Sequence, residues 1–169
     1  MQIILWRHAD AEDLVQHDWQ RNLTPKGLRQ ADRMAAWLAP QIESDWSHWR
    51  VIASPANRAQ QTARALQRPI ETVETIAPDA PPEAVLDAVG WRTDGSILPD
   101  ATLEPPRNVI VVGHQPTLGM VAAYLLRGAS GHVSVRKGSM WWFHVRERLR
   151  EGVHVRETVL KALQTPDTV

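Results

Sequence analysis

Arg7 and His8 stand side by side where a short apolar run, Ile3-Ile4-Leu5-Trp6, gives out. A fixed cation next to the one side chain that can be nucleophile, base or acid near neutral pH suggests a site for an anion. Two later stretches repeat the pattern. Ser54-Pro55-Ala56-Asn57-Arg58 follows the apolar Val51-Ile52-Ala53, and Gly113-His114-Gln115-Pro116 follows Asn108-Val109-Ile110-Val111-Val112. Phosphate fits two arginines and two histidines best, because guanidinium forks match phosphoryl oxygens and phosphoryl transfer rests mostly on positioning and charge. No glycine-rich Walker loop and no kinase signature is present, so nucleotide phosphates are not the obvious ligand. Without cysteine, and without a serine in a G-x-S-x-G elbow, the available nucleophile is histidine. A neutral imidazole held on one nitrogen by a backbone carbonyl can attack phosphorus in line with the other.

The elements that must position these residues can be read from the apolar pattern. Ile3 to Trp6 reads as a strand buried on both faces. Ala11 to Asn22 is a polar connection of a length that is often functional, and it carries His17, Asp18 and Arg21. Thr24-Pro25 predicts a helix start, Leu28, Ala31, Ala35 and Leu38 its inward stripe, and Pro40 its end. After a polar link, Ser44 to Trp49, come the strand Val51–Ala53 and a helix capped by Ser54-Pro55, with Arg58 in its first turn and Ala59, Ala63 and Leu66 inward. A short strand within Arg68–Val73 and a helix opened by Pro81-Pro82, with Val85, Leu86 and Val89 inward, are expected next. Gly90 to Arg107 is read as a surface insertion. Asn108–Val112 is the clearest buried strand, followed by a helix with Leu118, Val121, Ala122 and Leu125 inward, ending near Gly128. Ser139–Val145 and Val153–Leu160 predict an antiparallel hairpin joined by a charged turn, Arg146 to Gly152, at a sheet edge.

Strands alternating with helices imply a three-layer α/β/α arrangement on a mostly parallel sheet, here with an antiparallel edge hairpin. In such sheets ligands bind beyond the carboxyl ends of the strands. All three chemistry-bearing junctions are therefore expected on one edge, beside helix amino termini that favour anions. A length of 169 residues suits one domain, 1–169, with a real core. Nineteen basic and nineteen acidic residues cancel, so no global field favours nucleic acid or an anionic membrane, and any anion site must be a local concentration of charge. The absence of cysteine excludes disulfides and fits a cytoplasmic protein. No apolar stretch approaches a membrane span or a secretory leader.

Arg7-His8, then Ser54-Pro55 with Arg58 and Gln61-Thr62-Ala63, then Gly113-His114 together resemble the histidine phosphatase superfamily, whose fold is that of phosphoglycerate mutase. The spacing Arg7-His8-Ala9-Asp10-Ala11, Asp18, Arg21, Leu23-Thr24 and Gly27 is similar to its SixA-type phosphohistidine phosphatases. The resemblance implies that His8 accepts the phosphoryl group and that Arg7, Arg58 and His114 hold its oxygens. Arg21 would be a further phosphate contact, and water would release the phosphate in a second step. No metal and no other cofactor is implied. The partner would be a protein phosphorylated on histidine, the alternatives being a small phosphorylated metabolite or phosphate binding without turnover.

Two departures matter. Ala9 stands where the family has glycine, a change expected to tighten the approach of the backbone to phosphate. The acidic residue that serves many relatives as general acid has no clear counterpart. Glu74, Asp79 and Glu83 are near in sequence, Thr75 occupies the approximate position, and Asp18 is the best candidate for handling a proton. Asp18 and Arg21 could equally pair with each other. A phosphohistidine substrate needs the acid less than an ester does, because a protonated imidazole leaves readily. A metal on His8, Asp10 and His114 is the rival use of these residues, opposed by the flanking arginines.

Overall fold

The structure, a computed structural model, describes residues 1–13, 17–91, 108–150 and 153–169. Its frame is one six-stranded sheet. In chain order the strands are β1 (Gln2–Arg7), β2 (Trp49–Ala53), β3 (Glu71–Thr72), β4 (Asn108–Gly113), β5 (Met140–Arg150) and β6 (Val153–Gln164). They lie side by side as β3-β2-β4-β1-β5-β6. The first four are mutually parallel, while β5 runs antiparallel to β1 and β6 to β5, so the predicted edge hairpin is present.

Alternation along β1 explains the two faces. Ile4 and Trp6 join the core beneath α1 (Pro25–Ile42) and α2 (Asn57–Arg64), with Met34, Leu38, Val51, Ile110 and Trp142. Ile3 and Leu5 join the core beneath α3 (Pro82–Ala88) and α4 (Thr117–Arg127), with Ile52, Val111, Leu118 and Phe143. A strand covered on both sides has no polar face to show, which is why its sequence is a continuous apolar run. Among the described residues no helix is long and apolar enough to cross a membrane.

Several expected boundaries move. Helix α1 does not stop at Pro40 but runs two residues further, because Ile42 is buried in the core and the hydrogen bond that proline cannot donate falls in the last turn. Its inward stripe is Gly27, Ala31, Met34, Ala35, Leu38 and Ile42, whereas Leu28 lies off that phase and is 48% exposed. Ser44 to Trp49 is not a plain link: Glu43–His48 forms 3-10 turns, and Trp49 opens β2 as a core residue. Ser54-Pro55 does not cap α2, which starts at Asn57 behind Ala56. The strand expected within 68–73 is only two residues long.

Trp91, assigned to a surface insertion, is buried in the second core, while residues 92–107 of that stretch lie outside the described residues. The hairpin is longer than its charged sequence suggested, and Arg146–Arg150 continue as ladder opposite Val153–Glu157. Thr24 does cap α1, its Oγ accepting the Gly27 N–H at 3.0 Å. Helix α4 ends on Gly128 with φ +66°, as its sequence indicated.

Gly27 ties this helix to the segment that follows β1. A Cβ at that position would lie 1.9 Å from the Asp10 carbonyl oxygen, two residues beyond His8. Helix propensity alone would favour alanine by about 1 kcal/mol. Displacing main chain costs more, so Gly27→Ala is expected to lose about 2 kcal/mol net in chemical denaturation. A variant as stable as the parent would show that Asp10 yields freely.

Candidate active site

Register brings the three junctions together. Arg7 lies opposite Gly113 and Ala53 opposite Val112, so β1, β2 and β4 end on one line. The ladder runs one step further, with the His8 N–H bonded to the Gly113 carbonyl and the Ser54 N–H to the Val112 carbonyl, each at 3.0 Å. Arg7, His8, Ser54, Arg58 and His114 are thereby carried on one rim.

The His8 ring is held on both sides. Nδ1 lies 2.8 Å from the Ala9 carbonyl oxygen, which can only accept, so Nδ1 carries the proton and Nε2 keeps its lone pair. Arg58 Nε approaches that lone pair at 3.3 Å. The His114 ring centroid is 5.2 Å from that of His8, and its Nε2 is 2.7 Å from Ser54 Oγ. Arg7 Nη1 donates to the Val135 carbonyl at 2.7 Å, which anchors the guanidinium to the loop before β5. The Ala9 N–H donates to Thr62 Oγ, whose hydroxyl in turn donates to the Arg58 carbonyl, so α2 braces the turn that presents His8. Ala9 is fully buried and belongs to the same core cluster as Trp6.

These groups are removed from water: His8 is 6% exposed, Arg58 4% and His114 4%. Burial pushes His8 down to about 3; the hydrogen bond to Ala9 pulls against this, and the charges of Arg58, Arg7 and Arg21 add to it. His114 falls to about 3 as well, first by burial and then by the charges around it, with Asp18 opposing. Both rings are therefore neutral at pH 7.

A stability consequence follows. Below the ordinary histidine pKa of 6.5 the unfolded chain takes up protons that the folded state refuses, so stability falls as pH drops from about 6.5 towards 3. Each ring contributes about 1.4 kcal/mol per pH unit through that window. Urea titrations at pH 7 and pH 5 are expected to differ by about 4 kcal/mol, and His114→Asn to remove about half of the difference. Equal stability at the two pH values would contradict the burial of uncharged imidazoles.

Asp18 reaches the rim from a short 3-10 turn, Asp18–Gln20. Its Oδ2 accepts from Arg58 Nη2 at 2.8 Å and its Oδ1 from Arg21 Nη1 at 3.1 Å, while its main-chain carbonyl accepts from Arg58 Nη1 at 2.6 Å. The pairing of Asp18 with Arg21 is thus real, and Arg58 shares it. Burial raises the Asp18 pKa, but the hydrogen bonds from Arg58 and Arg21 outweigh it and leave the group below its ordinary value. Arg21 also bonds Glu12 through its main-chain oxygen and Asp13 through its carboxylate.

Asp10 takes no place beside His8 as a metal ligand. Its carboxylate is engaged by Lys137 Nζ at 2.9 Å and Thr24 Oγ at 2.8 Å. Among the described residues no three His, Asp or Glu side chains are grouped to hold a metal. Glu74 is exposed and lines a groove with Pro55, Asn57 and Arg64 that includes none of Arg7, His8, Arg58 or His114. Asp79 and Glu83 are exposed too. Of the other histidines, His48 bonds Asp45 and His132 bonds Gln115, both on the surface. Lys137 and the Val135 carbonyl escaped sequence reasoning. Ser54, expected as a helix cap within the second junction, instead meets His114 on the rim.

Residues 3–80 match the family model of the histidine phosphatase superfamily (branch 1). A phosphohistidine phosphatase SixA homolog from Haemophilus influenzae is 30% identical over 135 residues, covering 74% of this chain and 77% of that protein. Among solved structures, the protein histidine phosphatase SixA complexed with tungstate superposes with a TM-score of 0.70 at 24% identity, over 99% of this chain and 98% of that one. A phosphoserine phosphatase from Entamoeba histolytica in complex with 3-phosphoglyceric acid has the same fold at a TM-score of 0.57 and 16% identity, over 97% and 96%.

Proposed function

This chain belongs to the histidine phosphatase superfamily, in its SixA-type group, and from that membership we propose that it hydrolyses phosphohistidine in proteins through a phosphoryl intermediate on His8, without a metal. The observation that carries the reading is the His8 ring, protonated on the nitrogen bonded to Ala9 and bearing a lone pair on the nitrogen beside Arg58. In the first step Nε2 attacks phosphorus, the N–P bond to His8 forms, and the bond to the departing imidazole breaks. The positive charge that develops on His8 is spread over Nδ1–H and the Ala9 carbonyl. Arg7, Arg58, His114 and Arg21 surround the phosphoryl oxygens. In the second step water takes the phosphoryl group from His8, inorganic phosphate departs, and the neutral ring is restored.

Asp18 fits this scheme as the group that orients Arg58. A carboxylate bonded on both oxygens by guanidinium groups, with its pKa lowered, has no proton to deliver at neutral pH. A leaving group that brings its own proton solves the problem. Imidazole does so, whereas an alkoxide from an ester needs an acid. This favours P–N over P–O substrates, and it is the reason for placing a small-metabolite phosphomonoesterase second.

The test is phosphate release from a phosphohistidine-bearing phosphocarrier protein, compared with phosphoserine and sugar phosphates, before and after treatment with EDTA. The expected result is a kcat/KM at least about 100-fold higher on the phosphohistidine protein, unchanged by EDTA. Preference for an ester, or activity lost to EDTA and restored by zinc, would overturn the proposal. Phosphate binding without release from any substrate would favour a binding module instead.

A further inference from the structure

Ser54 lies beyond the end of β2, fully buried, with its hydroxyl 2.7 Å from His114 Nε2. The same oxygen accepts the Ala56 N–H at 3.4 Å. A hydroxyl has one proton to give, and among the described residues the only acceptor in reach of this one is His114 Nε2. The other ring nitrogen, Nδ1, is buried and has no hydrogen-bond partner among the described residues.

The two possible tautomers can be compared directly. With the ring proton on Nε2, that N–H would point at Ser54 Oγ, the serine proton would have no acceptor, and Nδ1 would be a buried lone pair without a donor. With the proton on Nδ1, the serine hydroxyl donates to Nε2, and every group near Ser54 is satisfied. Only one donor, Nδ1–H, then lacks a partner. A buried orphan costs on the order of 1–3 kcal/mol, so the arrangement with fewer orphans wins. The orphan that remains is a donor in a ring packed beside His8, and a phosphoryl oxygen would complete it.

We propose that Ser54 is a positioning residue that sets the tautomer of His114, placing its single proton on Nδ1 so that an uncharged imidazole presents an N–H to the phosphoryl group. The oxygen it meets rests on the function proposed above; the tautomer does not. The device resolves a conflict in the site. Burial among arginines keeps His114 neutral, and a neutral imidazole donates from only one nitrogen, so the proton must be on the correct side. His8 obtains the same Nδ1–H form from the Ala9 carbonyl, but for the opposite purpose of leaving its other nitrogen bare.

The experiment begins on the unmodified protein. Multiple-bond 1H–15N correlation of the 15N-histidine-labelled full chain at pH 7 is expected to give His114 a protonated, pyrrole-type Nδ1 and a pyridine-type Nε2. The reverse assignment would overturn the proposal without any variant having to fold. In S54A the His114 signals are expected to shift to the Nε2–H form or to a mixture. On the phosphohistidine protein kcat should fall about tenfold to a hundredfold, with KM changed less than about threefold. Ser54→Thr, which keeps the hydroxyl, should restore both the signals and most of kcat. A loss of rate in S54A with the tautomer unchanged would make Ser54 merely structural and sink the idea. Acid-labile phosphate on the wild-type enzyme during turnover is followed in parallel. Its absence would remove the phosphatase reading, and with it the donor's purpose, while the nitrogen shifts still decide the tautomer.

Discussion

His8→Ala is expected to lower phosphate release from a phosphohistidine protein by at least about a thousandfold, because the variant has no group to accept the phosphoryl moiety. The fold should survive. Among the described residues the side chain bonds only the neighbouring Ala9 carbonyl and Arg58 Nε, and the turn that carries it is held independently by the His8 N–H on Gly113 and the Ala9 N–H on Thr62. Removing a buried neutral imidazole should also reduce the loss of stability on acidification, since the unfolded chain then gains one proton fewer. The check is rapid quenching under alkaline conditions, which preserves phosphohistidine: wild type should carry acid-labile phosphate and His8→Ala none. Substantial turnover by the alanine variant would mean that another group takes the phosphoryl, or that water attacks it directly.

Arg58→Lys should be nearly as damaging as Arg58→Ala, with kcat/KM down by about two to three orders of magnitude. The reason is geometric. Three nitrogens of this one side chain reach three different partners: Nε meets His8, Nη1 the Asp18 carbonyl and Nη2 the Asp18 carboxylate. A single ammonium group carries the same charge but cannot span them, so charge conservation should rescue little. Asp18→Asn should be milder, because the main-chain carbonyl of residue 18 still holds Nη1. Thermal melts separate these effects from unfolding, because a variant that melts near wild type has lost catalysis and not the core. Retention of activity within about threefold by Arg58→Lys would show that the site needs only a positive charge there.

The charge balance of the chain directs attention to local fields of this kind. With equal numbers of acids and bases there is no net charge to steer an anionic substrate from afar. The cations that matter are those on the rim, and each is fixed by a main-chain or carboxylate partner: Arg7 by Val135, Arg58 by Asp18, and Arg21 by Asp18 with Glu12. Anchored guanidinium groups lose little freedom when a phosphoryl group arrives, which is the use of pre-organisation in a transfer that asks little covalent work of the protein.

The amino-acid sequence by itself determined the sheet and the rim. Ile3–Trp6, Val51–Ala53 and Val109–Val112 are apolar without alternation because both faces of the sheet are covered, and parallel strands that end together must present their following residues on one edge. From those two facts Arg7, His8, Arg58 and His114 had to meet. Only the tertiary structure decided what each one touches. The proton on His8 depends on the position of the Ala9 carbonyl. The role of Asp18 depends on a short helical turn that puts its carboxylate between two arginines. Lys137 reaches Asp10 across 127 residues of chain. Leu28 and Pro40 misled for the same reason: helix phase and helix length follow from what the core will cover, here Gly27 against Asp10 and Ile42 beneath the sheet. Periodicity is a property of neighbours along the chain and survives in one dimension. A hydrogen bond is decided by tenths of an ångström between distant segments, and that information exists only after packing.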